Sequence, residues 1–166
     1  HKYSFLTSSI AAPLAFGIAL YSIPIVTLWT GRPEIALQIN YVVKMLLVGG
    51  LFLCLQLTPF YLALANGFTR INLYSGIVGI AVTIPLMIFS IQKYGMLGVT
   101  FPWIFINVTT FFIVGMFIVS KFLPKQVYNW LIWDVCTPII VTLLVIAMVE
   151  LSFKSLINNY LFIFKS

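Results

Sequence analysis

Glu34, Asp134 and Glu150 are the only carboxylates, and His1 the only histidine, of this 166-residue chain. General acid–base catalysis needs two such groups within reach of one substrate. Asp134 and Glu150 are sixteen residues apart in one apolar run, about 24 Å of helix, and cannot act as a pair. Cys54 and Cys136 each sit inside apolar runs, with no Cys-x-x-Cys spacing and no clustered histidine, so they read as packed thiols and not as a disulfide or metal site. Asp134 reads as an interfacial residue near Lys125, with a proton or cation site as the other reading. No catalytic residue, metal ligand or cofactor is expected, and the chain is not read as an enzyme.

The polar residues that could bind something are of another kind. Lys44 lies in the second apolar run, and a cation at the centre of a bilayer costs about 2.5–3.5 kcal/mol on insertion scales. If its helix begins near Tyr41, Lys44 snorkels to the headgroups; if it begins near Ile35, Lys44 is about 14 Å deep and faces a cavity. Asn40 lies one turn before it, so the two could jointly present donors to a phosphate. Thr100, Asn107 and Thr110, at spacings of seven and three, share one face of a later helix. They either line a polar lumen or hydrogen-bond between helices. Ser75, Gly76, Gly79 and Thr83 form a small-residue stripe suited to close helix packing, and Gly49-Gly50 marks flexibility or close approach.

The elements that must position these residues follow from composition. The chain is 62% hydrophobic and 7% charged, against about 25% charged in a soluble domain. A water-soluble globule is excluded. The net charge of +6 comes from nine Lys and Arg scattered singly, which makes no nucleic-acid patch. Hydropathy gives an all-α polytopic bundle in one membrane domain, with full spans over about 5–29, 41–65, 72–91, 96–120 and 130–153, and a short sixth run over 156–164. Pro13 and Pro24 are expected to kink the first span, and the connections are too short to hold a soluble domain. Because the chain starts at His1 and its last apolar run is short, it is expected to be a piece of a longer protein.

The basic residues divide unequally between the two ends of the spans. Lys2, Arg70, Lys121, Lys125 and, if the last run crosses, Lys165 fall on the side of the N-terminus; Arg32, Lys93 and Lys154 fall on the other. That bias places the N-terminus in the cytoplasm.

Three local sequences carry a family resemblance. Pro24-Ile25-Val26-Thr27-Leu28-Trp29-Thr30-Gly31 is similar to an apolar run ending in Trp-x-Gly. Ala63-Leu64-Ala65-Asn66-Gly67-Phe68-Thr69-Arg70 resembles an Ala-x-Gly-x-x-Lys/Arg turn, although Asn66 stands where a small apolar residue is more usual. Lys93-Tyr94-Gly95-Met96-Leu97-Gly98-Val99 resembles a Lys-Tyr-Gly-x-x-Gly-Ala hairpin. In this order and spacing they resemble the bacterial polysaccharide (O-antigen) flippases of the multidrug/oligosaccharidyl-lipid/polysaccharide exporter superfamily, over about residues 1–125.

The resemblance implies the C-terminal part of a two-lobe transporter with 12–14 helices in the bacterial inner membrane. It implies a lipid-linked oligosaccharide as cargo, moved by alternating access, and membrane lipids and glycan polymerase or glycosyltransferases of the same pathway as partners. Lys44, Asn40, Thr100 and Asn107 are then the candidate substrate-binding residues. A drug/cation exporter of the same superfamily and a membrane-embedded glycan-assembly enzyme are the alternatives.

Overall fold

A computed structural model describes residues 2–163, with side chains up to residue 152. His1, Phe164 and Lys165 lie outside the described residues, as does the side chain of Lys154.

The described chain is helical, and long apolar helices are the form a backbone takes in lipid, where only internal hydrogen bonds can satisfy its polar groups. The first leg is α1 (Lys2–Leu20) and α2 (Ser22–Thr30), broken at Tyr21. Pro24, which has no N–H for the carbonyl of Leu20, accounts for the break; Pro13 sits inside α1 without interrupting it. Gly31, at φ 69°, takes the left-handed conformation and donates its N–H to Thr27 O at 2.8 Å, which turns the chain.

The second leg is α3 (Pro33–Leu55) and α4 (Leu57–Ala65), bent at Gln56 three residues before Pro59. Pro33 at the first helical position and Glu34 in the first turn start α3 eight residues earlier than Tyr41. The third leg, α5 (Thr69–Tyr94), turns back through a 3-10 segment (Gly95–Val99) into the fourth. That fourth leg is α6 (Thr100–Thr110), a π-helical turn (Phe111–Gly115) and α7 (Met116–Phe122). The fifth is α8 (Val127–Asn129), a second π-helical segment (Trp130–Cys136) and α9 (Thr137–Ile163). The separate run expected over 156–164 is instead the continuation of α9, since no Gly or Pro between Leu151 and Ile163 interrupts it.

Contacts fix the directions. Ser22 meets Asn40 across the first turn, so the first and second legs are antiparallel. Gly98 packs on the backbone of Ser90 and Gly79 on Ile106, so α5 and α6 form an antiparallel hairpin. Gly49 meets Trp103 and Gln56 meets Asn107, which makes α3 and α6 parallel, and Ser4 meets Trp130, which brings the fifth leg alongside α1.

The core lies among the first, second, fourth and fifth legs: Ala12, Leu51, Leu55, Phe111, Val119, Trp130 and Val135 are buried together. Phe111 stands edge-on to Phe52, with ring centres 5.6 Å apart, and 5.8 Å from Trp130. Small side chains let α1 approach, with Ser4, Ser8 and Ala12 buried at one-turn intervals. The third leg has no buried residue at all.

Candidate substrate-lining site

With α3 starting at Pro33, Lys44 is eleven residues into the helix, about 16 Å along its axis. At 100° per residue, Ala36, Asn40, Lys44, Leu47, Leu51 and Leu55 form one row. Ala36, Leu51 and Leu55 in that row are buried, and Leu51 and Leu55 pack on Ala12 of the first leg. Lys44 is half-buried, so a cation occupies the inward stripe of α3 and not its lipid-facing side.

Asn40, also half-buried, accepts a hydrogen bond on its Oδ1 from the Ser22 hydroxyl at 2.6 Å. The same hydroxyl lies 3.1 Å from Ala19 O. The antiparallel register set by the Ser22–Asn40 bond brings Lys44 level with the last turn of α1, directly below the Pro24 break. The donors of Asn40 and Lys44 therefore sit one turn apart beside a discontinuity in the opposing helix.

Thr100 and Asn107 are buried at 0% and 5% exposure. Thr100 Oγ1 donates to Leu97 O at 2.7 Å, and Asn107 Nδ2 donates to Trp103 O at 2.8 Å. Gln56 Nε2 donates across the helix pair to Asn107 O at 2.9 Å and also reaches Phe52 O at 3.2 Å. Gln56 thus binds the backbone carbonyl of Asn107 across the helix pair, while the Asn107 side chain donates within its own helix and its Oδ1 lies 3.5 Å from Gln56 Nε2. Gln56 lies on the α3 face that carries Gly49, about 150° around the helix from Asn40 and Lys44. The structure brings Lys44 together with Asn40, and Asn107 together with Gln56, on separate faces of α3.

Sequence reasoning missed Gln56. The available signal was an amide inside a leucine-rich run, which in lipid must find a hydrogen-bond partner on its own or a neighbouring helix. Asp134, expected at the interface beside Lys125, is 5% exposed within the second π-helical segment, which packs against α1. Close approach at Gly49-Gly50 is confined to Gly49, on which the Trp103 ring rests while its Nε1–H donates to Leu46 O at 3.2 Å.

Two grooves lie on the surface. One, of about 650 Å³, lies between the second, third and fourth legs, and Ser75, Gly76, Gly79 and Thr83 line it. Of the two glycines in that stripe, a Cβ at Gly79 would lie 3.6 Å from the Ile106 side chain, whereas one at Gly76 would meet nothing within 4 Å. The other, of about 520 Å³, runs between α1 and α9 from Phe5 to Glu150. Among the described residues no three His, Cys, Asp or Glu side chains gather as a metal site. No protein-family model, no curated protein and no solved structure matches this chain.

Proposed function

We propose that this protein is a flippase that moves a lipid-linked oligosaccharide across the bacterial cytoplasmic membrane by alternating access. The observation that carries the reading is Lys44 in the inward row of α3, one turn from Asn40 and level with the break in the first leg. An ionisable residue kept at depth in a spanning helix is costly and serves a polar cargo or ion path. A pyrophosphate linked to sugars needs such a cation, together with amide and hydroxyl donors, on its way through lipid. The bends at Tyr21 and Gln56 give the first and second legs points about which to rock. A membrane potential would act on the moving charge at about 2.3 kcal/mol per charge per 100 mV.

The test is transfer of a fluorescent polyprenyl-pyrophosphate oligosaccharide between leaflets of proteoliposomes containing the protein as expressed from its native gene. Transfer is expected to fall at least about tenfold in Lys44→Ala, the loss of one charge-assisted contact. It should be largely kept in Lys44→Arg. Equal transfer by wild type and Lys44→Ala at equal protein levels would refute the reading.

Buried Asp134 favours a second reading, a drug/cation exporter of the same superfamily, because a cation path needs an interior carboxylate. Uptake of a lipophilic cation that is lost in Asp134→Asn and untouched in Lys44→Ala would select it.

A further inference from the structure

The α5–α6 hairpin is not closed along its length. Gly98 packs on Ser90 beside the turn and Gly79 approaches Ile106 about halfway along α5, whereas farther from the turn α4 contacts both α5 and α7. The two helices diverge into a cleft floored by Pro59 and Phe60, and this cleft is the 650 Å³ groove. Its α5 wall runs from Asn72 to Ile84, about 18 Å. That length matches one leaflet, about half of the 30 Å hydrocarbon thickness. On α5 the cleft thus runs from near the start of the helix to just past its middle, and its facing wall runs from Ile118 to Trp103, about 22 Å.

Its mouth is basic. Trp103, Ile106, Thr110, Val114 and Ile118 line the groove, and Lys121 is the next residue of that row, exposed at the mouth. Lys121 Nζ sits 3.6 Å over the ring of Phe68, in the loop leading into α5. Exposed Arg70 follows in the first turn of α5 and exposed Lys125 in the loop after α7. Among the described residues this side of the bundle exposes no carboxylate: Glu34 and Glu150 are at the other end and Asp134 is buried. Inside, the walls are apolar apart from Gln56, Asn72, Ser75, Thr83 and Thr110, and a Cβ at Gly76 would meet no heavy atom within 4 Å.

We propose that this cleft is a site for an anionic diacyl phospholipid of the leaflet on the N-terminal side, with one acyl chain along Gly76 and Gly79 and its phosphate held by Lys121. The proposal stands apart from the transport reading, which uses the opposite side of α3. A cleft one leaflet deep selects a chain, and a mouth with cations alone selects an anionic headgroup.

The experiment adds phosphatidylglycerol, phosphatidylcholine of the same chains, or inorganic phosphate to the delipidated protein in detergent and reads its unfolding temperature. Phosphatidylglycerol should raise it by about 5 °C, phosphatidylcholine by clearly less, and inorganic phosphate not at all. Lys121→Gln should shrink the difference between the two lipids. Gly76→Leu, which extends into open space, should fold normally and lose the phosphatidylglycerol effect. Retention of phosphatidylglycerol through purification, read by native mass spectrometry, should be lost in the same variant. Equal stabilisation by the two lipids, or wild-type retention by Gly76→Leu, would overturn the proposal.

Discussion

Gly49→Ala is the sharpest packing test of the parallel α3–α6 seam. A methyl group at position 49 would overlap the Cδ1 and Nε1 edge of Trp103. That edge belongs to a rigid ring held by its bond to Leu46 O, so it cannot bend aside as a flexible chain end would. Either the indole leaves its site or the helices separate. Overpacking of this kind costs about 1–3 kcal/mol, and the lost interhelical hydrogen bond adds about 0.6 kcal/mol in a membrane. The helix-propensity gain of Ala over Gly does not offset this, because lipid keeps the separated segments helical. The expected loss is therefore about 2–3 kcal/mol.

Reversible unfolding in mixed micelles measures this loss, with Gly50→Ala as control, because a Cβ at Gly50 meets nothing within 4 Å. That control should stay within about 0.5 kcal/mol of wild type. In a Trp103→Ala background Gly49→Ala should become nearly silent, giving a coupling of about 2 kcal/mol. Equal effects at positions 49 and 50, or additivity with Trp103→Ala, would refute the seam.

Other perturbations follow from the same contacts. Gly98→Ala would drive a methyl group into the backbone of Ser90 and Ile91; it should lose about 3 kcal/mol in the same assay, where Gly17→Ala, facing open space, should lose little. Gln56→Leu removes the donor to the backbone carbonyl of Asn107 and should lower stability by about 0.6 kcal/mol, a loss that should persist in an Asn107→Leu background because that carbonyl remains. Trp130→Phe removes the indole donor to Ser4 Oγ at 2.7 Å in the core and should lose about 1 kcal/mol by thermal unfolding.

The run of apolar residues made the helical legs legible, because length and hydropathy alone decide what can cross a bilayer. The ends were less so. The hydropathy left the start of the second leg open between Ile35 and Tyr41, whereas Pro33 and Glu34 are what begin α3, and that choice decides the depth of Lys44. Pro24 announced the break at Tyr21, but Pro13 did not break α1, since neighbouring helices can satisfy a carbonyl freed in lipid. The π-helical turns at Phe111–Gly115 and Trp130–Cys136 carry no period of their own in a sequence apolar on every side.

Of the candidate site, the pairing of Asn40 with Lys44 could be read from their spacing of four. The partner of Asn107 could not, because it depends on the parallel register of α3 and α6, a contact between residues far apart in the chain. The stripe from Ser75 to Thr83 was legible as small but not as a wall of a cleft, since small residues admit either a helix or a lipid chain.

The central claim is that position 44 faces a path for polar cargo. It is tested most directly by Lys44→Cys, with Cys54 and Cys136 replaced by alanine, labelled in intact proteoliposomes by a charged, membrane-impermeant thiol reagent. Glu34→Cys, at the exposed start of α3, serves as the accessible control. The account predicts that position 44 reacts and is protected by a polyprenyl-pyrophosphate oligosaccharide. Labelling at position 34 with none at position 44, or labelling at 44 that the oligosaccharide leaves unchanged, would contradict it.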